Sequence, residues 1–296
     1  MVTARPAGPL WRDLVVHLRI NFQLILAPIF LWGFLLAGGA LGWRLVVGFL
    51  AVHIALYGGI TALNSYYDRD EGPVGGLWSP PPWRKELLPF AWAVQLLGLL
   101  AVVPLGLGMV VTYIAMMALS VAYSHPAIRL KRRPLGALAV IAIGQGALGF
   151  LTGWFSATPA PVGLLSPDIA IAVVGITLAT VGLYPLTHIY QVREDIARGD
   201  VTFAVRWGSD KAFRFALTAF GLALVCIGWV LLRRFGWPTA LVVATFYALV
   251  LADIERWRRH FDPAAVRANY THVMRLSYVV AAAFSAYILG LLVLQA

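Results

Sequence analysis

The chain has 296 residues, 60% of them hydrophobic and 12% charged, and carries a formal net charge of +10. A soluble domain holds roughly 25% charged residues, so the composition excludes a water-soluble globular protein and implies an integral membrane protein. A single cysteine, Cys226 inside an apolar run, excludes a disulfide framework and a cysteine metal cluster and reads as a small buried hydrophobe.

Residues 1–11 lack the ordered charged, apolar and cleavage segments of a signal peptide, so no removable leader is expected. A helix needs about 20 apolar residues to cross the hydrocarbon core. Nine stretches meet that need: 21–39, 45–64, 87–104, 107–123, 135–154, 169–188, 212–232, 237–254 and 273–294. The run 87–123 is too long for one span and suits two, with Pro104, Gly106 and Gly108 supplying the turn. The expected fold is all-α, a nine-helix transmembrane bundle forming a single domain over residues 1–296.

Charge placement tests the count. Of the 23 Lys and Arg residues, twenty fall in the N-terminal segment (Arg5, Arg12, Arg19) and in the loops after even-numbered spans. Only Arg44, Arg233 and Arg234 fall on the other side. A wrong span count would scramble that parity. The positive-inside rule then puts the N-terminus and these loops in the cytoplasm and the C-terminus outside, as expected of a multi-pass protein of the cell inner membrane. Topology and anionic headgroups account for the basic excess, and no nucleic-acid partner is expected.

Twelve of the 13 acidic residues share the basic side, Asp168 being the exception. They concentrate in two stretches. Residues 61–73, T-A-L-N-S-Y-Y-D-R-D-E-G-P, follow the second span, and residues 189–201, I-Y-Q-V-R-E-D-I-A-R-G-D-V, follow the sixth. Asn64 and Asp68, four apart, share a helix face. If the helix continues to Gly72-Pro73, Glu71 shares the face of Asp68 and Asp70 points away. Gln191 and Asp195 repeat the spacing, Gly199 falls where Gly72 falls, and Asp200 adds a carboxylate. The recurrence reads as an internal duplication. Each stretch leads into a loop of roughly twenty residues, a length that is usually functional or disordered. Aromatics and the stiff Pro80-Pro81-Pro82-Trp83 favour a cap over a membrane cavity.

Carboxylates close to lipid are costly unless paired, hydrated or bound to metal, so both stretches are functional candidates. Their oxygen donors suit hard cations, and magnesium binds through one or two carboxylates together with substrate phosphates. Asn64, Asp68, Glu71, Asp195 and Asp200 are the expected metal ligands; Asn64, Asp68, Asp195 and Asp200 form the expected catalytic set. The competing reading of Asn64 and Asp68 is a capped helix end paired with loop arginines. Arg19, Arg69, Arg193, Arg198, Lys131, Arg132 and Arg133 are candidates to neutralise phosphate, with positive-inside placement as their rival explanation. Gln191 and His188 are candidates to contact substrate, His188 also as a base. Tyr66, Tyr67, Tyr123 and Tyr190 line a cavity or belong to the interfacial aromatic belt. A diphosphate clamped by metal becomes a good leaving group, and a hydrocarbon tail would lie between the helices. That combination describes ionisation of an isoprenyl diphosphate.

This order of features resembles the intramembrane aromatic prenyltransferases of the UbiA superfamily, which have nine membrane helices and two acidic-motif cytoplasmic loops. The family's first motif, roughly Asn-x-x-x-Asp-x-x-x-Asp, is matched by Asn64, Asp68 and the adjoining Arg69, with Gly72 in the last aspartate's place and Asp70 or Glu71 as nearby substitutes. The Gly-Asp that ends the second motif is matched by Gly199-Asp200, with Asp195 one residue from the commonest spacing. Tyr123-Ser124-His125-Pro126-Ala127-Ile128-Arg129-Leu130-Lys131 is similar to the family's Tyr-Ser-x-Pro-x-x-x-Leu-Lys stretch, which implies that Lys131 contacts diphosphate. The resemblance implies Mg2+-dependent transfer of an isoprenyl group from a prenyl diphosphate to a lipophilic acceptor, an aromatic quinone precursor or a tetrapyrrole. A terpene cyclase or a catalytically silent membrane subunit of the same fold is the alternative.

Overall fold

The computed structural model describes residues 8–295. Arg5 and most of the segment read above for a signal peptide lie outside the described residues, as does Ala296. Among the described residues nine helices are long and apolar enough to cross a membrane. They are α1 (Leu10–Leu36), α2 (Trp43–Asp68), α3 (Leu87–Leu105), α4 (Leu107–Ser124), α5 (Pro134–Ala157), α6 (Pro167–Leu186), α9 (Ser209–Phe235), α10 (Trp237–Arg259) and α11 (Val266–Gln295). Two short helices, α7 (Val192–Arg198) and α8 (Phe203–Trp207), follow α6.

Each expected span has its helix, and most of the helices run past the expected ends. α2 continues to Asp68, four residues beyond Asn64, and α11 starts at Val266 rather than at 273. Apolar pattern marks only the part of a helix inside hydrocarbon, whereas the backbone stays helical into the polar interface. Pro134 and Pro167 sit in the first turns of α5 and α6, where a missing N–H costs nothing. Between α3 and α4 the turning residue is Gly106, at φ +117°. Gly108 serves close packing instead, since a side chain there would strike the ring of Phe155.

The chain divides into two compact units. The first comprises Met1–Leu130, Leu148–Pro161 and Ala281–Ala296; the second comprises Lys131–Ala147 and Val162–Val280. In the first, α1 packs on the second half of α5 through facing glycines. A Cβ on Gly33 would meet the Phe150 carbonyl, and a Cβ on Gly153 would meet the Phe30 carbonyl. Small residues let two backbones approach where lipid gives no hydrophobic drive for association. Arg44 then ties helix ends together, its Nε donating to the Ser156 carbonyl at 2.8 Å and Nη2 to the Leu105 carbonyl at 2.9 Å. In the second unit, α6 lies on α9 at Gly182, against Ala219, and at Gly175, against Ile227.

Replacing Gly153 with alanine is expected to destabilise the protein by about 1–3 kcal/mol, because the Phe30 carbonyl cannot yield without separating the helices. Gly221→Ala, where an added Cβ meets nothing within 4 Å, serves as the control and should change stability by no more than about 1 kcal/mol. Thermal unfolding of the two variants in detergent reads the difference.

Candidate functional site

The first acidic stretch is shaped by the end of α2. The helix closes at Asp68, and Arg69 takes the left-handed conformation at φ 53°, its N–H donating to the Ser65 carbonyl at 3.1 Å. This single bond is the simpler of the two common helix stops. The helix therefore ends well before Gly72. Glu71 does not share the face of Asp68 as expected, because no helix reaches it, and it is exposed. Asp70 turns inward instead, its side chain 5% exposed and 3.8 Å from Arg19 Nη2.

Arg19 interrupts α1 in a left-handed conformation of its own, φ 50°. The interruption leaves backbone carbonyls without helical donors. Thr61 Oγ1 and Gln23 Nε2 serve the Leu18 carbonyl at 3.0 and 2.8 Å. The break turns the buried Arg19 guanidinium toward α2, where Nη2 donates to Ser65 Oγ at 2.8 Å. Beyond Pro73 the chain makes a tight hairpin at Gly75-Gly76, seated on the ring of Phe22. Arg69 leaves this cluster: it is exposed and stacks on Trp83 at 4.4 Å, while Trp83 Nε1 donates to the Tyr66 carbonyl at 2.9 Å.

The segment after α4 supplies the other partners. Ser124 Oγ donates to Asn64 Oδ1 at 3.0 Å. Arg129 Nη2 lies 3.4 Å from Asp68 Oδ1, with side chains 12% and 9% exposed. Arg129 is left-handed too, at φ 42°. Among the described residues the non-glycine positions with positive φ are Arg19, Arg69 and Arg129, each carrying about 1–2 kcal/mol of strain. Tyr123 is half-buried in the last turn of α4.

The second stretch, in the other unit, is built on α7. Gln191 is the N-cap residue, 9% exposed, and Asp195 lies one turn on, its N–H donating to the Gln191 carbonyl at 2.9 Å. Gly199 stops the helix at φ 72°, with bonds from Gly199 N–H to Ile196 O and from Asp200 N–H to Asp195 O. Those two bonds form a Schellman motif, and they fold Asp200 back over the turn that carries Asp195. Asp195 is 2% exposed; Oδ1 accepts from Arg198 Nη2 and Oδ2 from Thr202 Oγ1, both at 3.0 Å. Asp200 has Arg132 Nε at 3.6 Å and Arg198 Nε at 3.7 Å. Lys131, 8% exposed, belongs to this unit, in the turn Leu130–Arg132. His188 lies in the turn after α6, its Nδ1 3.1 Å from the Tyr184 carbonyl.

Gly72 and Gly199 thus do unlike jobs. In the first stretch the left-handed stop is Arg69, so the residue just after the stop is Asp70, as Asp200 is in the second. Ser124, Arg129 and Thr202 were missed by sequence reasoning. Arg129 and Ser124 stood inside the Tyr123–Lys131 stretch, but nothing in the pattern said which acidic side chains they meet.

Among the described residues no three His, Cys, Asp or Glu side chains gather closely enough to hold a metal by themselves. The donors are hard oxygens with one or two carboxylates per stretch, which fits a magnesium ion whose shell is completed by phosphate and does not fit an all-protein cage.

The profile of the UbiA prenyltransferase family matches residues 26–279. Over 234 residues the chain is 28% identical to the bacteriochlorophyll synthase 34 kDa chain of Chloroflexus aurantiacus, covering 75% of this chain and 72% of that one. A solved UbiA homologue from Archaeoglobus fulgidus bound to GPP and Mg2+ has the same fold, with a TM-score of 0.73 at 16% identity over 95% of this chain and 99% of that one. A UbiA homologue from the same organism bound to DMAPP and Mg2+ gives 0.68 at 18% identity, over 95% and 98%. The chain is a multi-pass membrane protein that belongs to the UbiA prenyltransferase family.

Proposed function

We propose that the protein transfers an isoprenyl group from a prenyl diphosphate to a tetrapyrrole acceptor, with magnesium. The observation that carries the reading is the set of buried carboxylates at helix ends, Asp68, Asp70, Asp195 and Asp200, each with an arginine within 3.8 Å. Each such helix end can bind a divalent cation and a phosphate at once, the carboxylates taking one and the guanidinium groups the other. Two relatives solved with GPP or DMAPP and Mg2+ support that pairing. The likeness to a bacteriochlorophyll synthase chain supports the acceptor class.

In this reading Asn64, Asp68 and Asp70 of the first stretch and Asp195 and Asp200 of the second are the metal ligands. Asp70 takes the place expected of Glu71, because its side chain is the buried one of the two. Magnesium, when bound, draws charge from the departing diphosphate. Arg19, Lys131 and Arg198 hold phosphate oxygens. Ser124 fixes the Asn64 amide and Thr202 the Asp195 carboxylate, so both are aimed before substrate arrives. His188 is given a contact role, its Nδ1 lying 3.1 Å from the Tyr184 carbonyl. The acidic stretches face the cytoplasm, and the whole chain acts as one catalytic domain.

Asp68→Ala and Asp195→Ala are each expected to lower kcat at least roughly a hundredfold, and chelation should abolish turnover until magnesium is returned. Mass spectrometry of products reads the chemistry: purified protein, a panel of prenyl diphosphates, and tetrapyrrole or phenolic acids as acceptors. Mass gain by one prenyl unit on the tetrapyrrole is the expected result. Gain on the phenolic acid alone rejects the acceptor class, and hydrocarbon released without acceptor makes the protein a cyclase. Parent-like turnover in both aspartate variants removes the assigned site.

A further inference from the structure

We infer that Arg129 is a counter-cation built into the first acidic helix end, holding Asp68 until magnesium and a diphosphate displace it together, a role that rests on the diphosphate reading proposed above. Asp68 is the last residue of α2, where the helix presents its negative pole. A nearly buried carboxylate there needs a positive charge close by. Arg129 supplies it, and its backbone is bent to do so. The His125 carbonyl accepts from Ile128 N–H at 3.0 Å and from Arg129 N–H at 2.8 Å, a turn that sets Arg129 left-handed. The same segment places Ser124 Oγ on Asn64 Oδ1. One stretch of chain therefore holds both side chains of the Asn64–Asp68 pair, the amide by a hydrogen bond and the carboxylate by charge.

The two grips differ in kind. Ser124 holds Asn64 by a direct hydrogen bond of 3.0 Å, whereas Arg129 and Asp68 stand 3.4 Å apart. A locked charge-assisted bond would be about 2.7–2.9 Å. At 3.4 Å the guanidinium holds Asp68 by charge. A divalent ion arriving alone meets this fixed positive charge beside the oxygen it needs, and binds weakly. When a diphosphate arrives with the ion, the guanidinium transfers to a phosphate oxygen, a partner it fits through its planar fork. The repulsion becomes an attraction, and metal and diphosphate bind cooperatively. Because linkage is reciprocal, each ligand raises the affinity of the other by the same factor.

Arg129→Gly tests this cleanly. It removes the guanidinium and relieves the left-handed backbone; because the pair with Asp68 is lost as well, thermal unfolding first establishes that the variant is folded at the titration temperature. Isothermal titration of the full chain in nanodiscs uses magnesium chloride alone, then magnesium chloride with inorganic pyrophosphate. In Arg129→Gly, magnesium alone should bind about tenfold tighter than in the parent, and the gain in magnesium affinity conferred by pyrophosphate should shrink about tenfold. Arg129→Lys keeps the charge and should return magnesium binding toward the weak parental value. A lost side chain that merely supported the fold would weaken magnesium binding, the opposite sign. Unchanged or weaker magnesium binding in Arg129→Gly overturns the role given to Arg129. Asp68→Ala separates the two ideas: a parent-like magnesium titration there removes Asp68 from the ligand set and sinks the diphosphate reading itself.

Discussion

A carboxylate at the edge of a membrane cannot be left without a cation. Removing it from water costs on the order of several kcal/mol, and a neighbouring opposite charge returns that energy only at close range. Asp68, Asp70, Asp195 and Asp200 are all nearly buried, and each has a guanidinium 3.0 to 3.8 Å away. These arginines are therefore part of the site's electrostatics and not only markers of membrane orientation. The helices sharpen the demand unequally. Asp195 lies in the first turn of α7, where the helix pole is positive, and both its oxygens accept hydrogen bonds. Asp68 ends α2, where the pole is negative, and its ion pair is looser.

Meeting that demand bends the backbone. Left-handed geometry is easy for glycine and costly for arginine. The second stretch uses Gly199, and its Schellman bonds bring Asp200 beside Asp195 with no strain. The first unit instead places three arginines in that conformation. Two of them, Arg19 and Arg129, aim guanidinium groups at Asp70 and Asp68. Arg69 spends the same strain on closing α2 and then stacks on Trp83. Strain that persists beside chemistry is held there by the surrounding structure, and here the holders are visible: the Leu18 and His125 carbonyls and the Ser65 hydroxyl.

The membrane helices were legible in the sequence because one strong physical variable, apolar run length, governs them, and because the parity of basic residues checks their number independently. The helix ends were not. Continuing α2 to Gly72 relied on glycine as the usual stop, and an arginine took the left-handed position instead. That single displacement moved Glu71 out of the Asp68 face and brought Asp70 in. That Asn64 and Asp68 share a face, as Gln191 and Asp195 do, could be read from spacing, since periodicity fixes which side chains lie together. Their partners could not. Arg129 and Thr202 meet their aspartates through turns whose shape depends on individual φ values, and no period encodes those.

The two acidic stretches also look less like copies once their helix stops are aligned. Setting Arg69 against Gly199 pairs Asp70 with Asp200, but it pairs Asp68 with Arg198 and Ser65 with Asp195. The amide-and-carboxylate spacing that recurs in the sequence therefore occupies different positions relative to each helix end. What recurs physically is narrower: a helix terminus, a left-handed residue, and an aspartate immediately after it that folds back toward an arginine. The pairing of carboxylate and guanidinium needs only those three elements, because the left-handed step reverses the chain and the reversal delivers the carboxylate. The other carboxylate of each stretch, Asp68 in one and Asp195 in the other, stands on opposite electrostatic terms. Asp195 lies at the positive pole of its helix and Asp68 at the negative pole of its own.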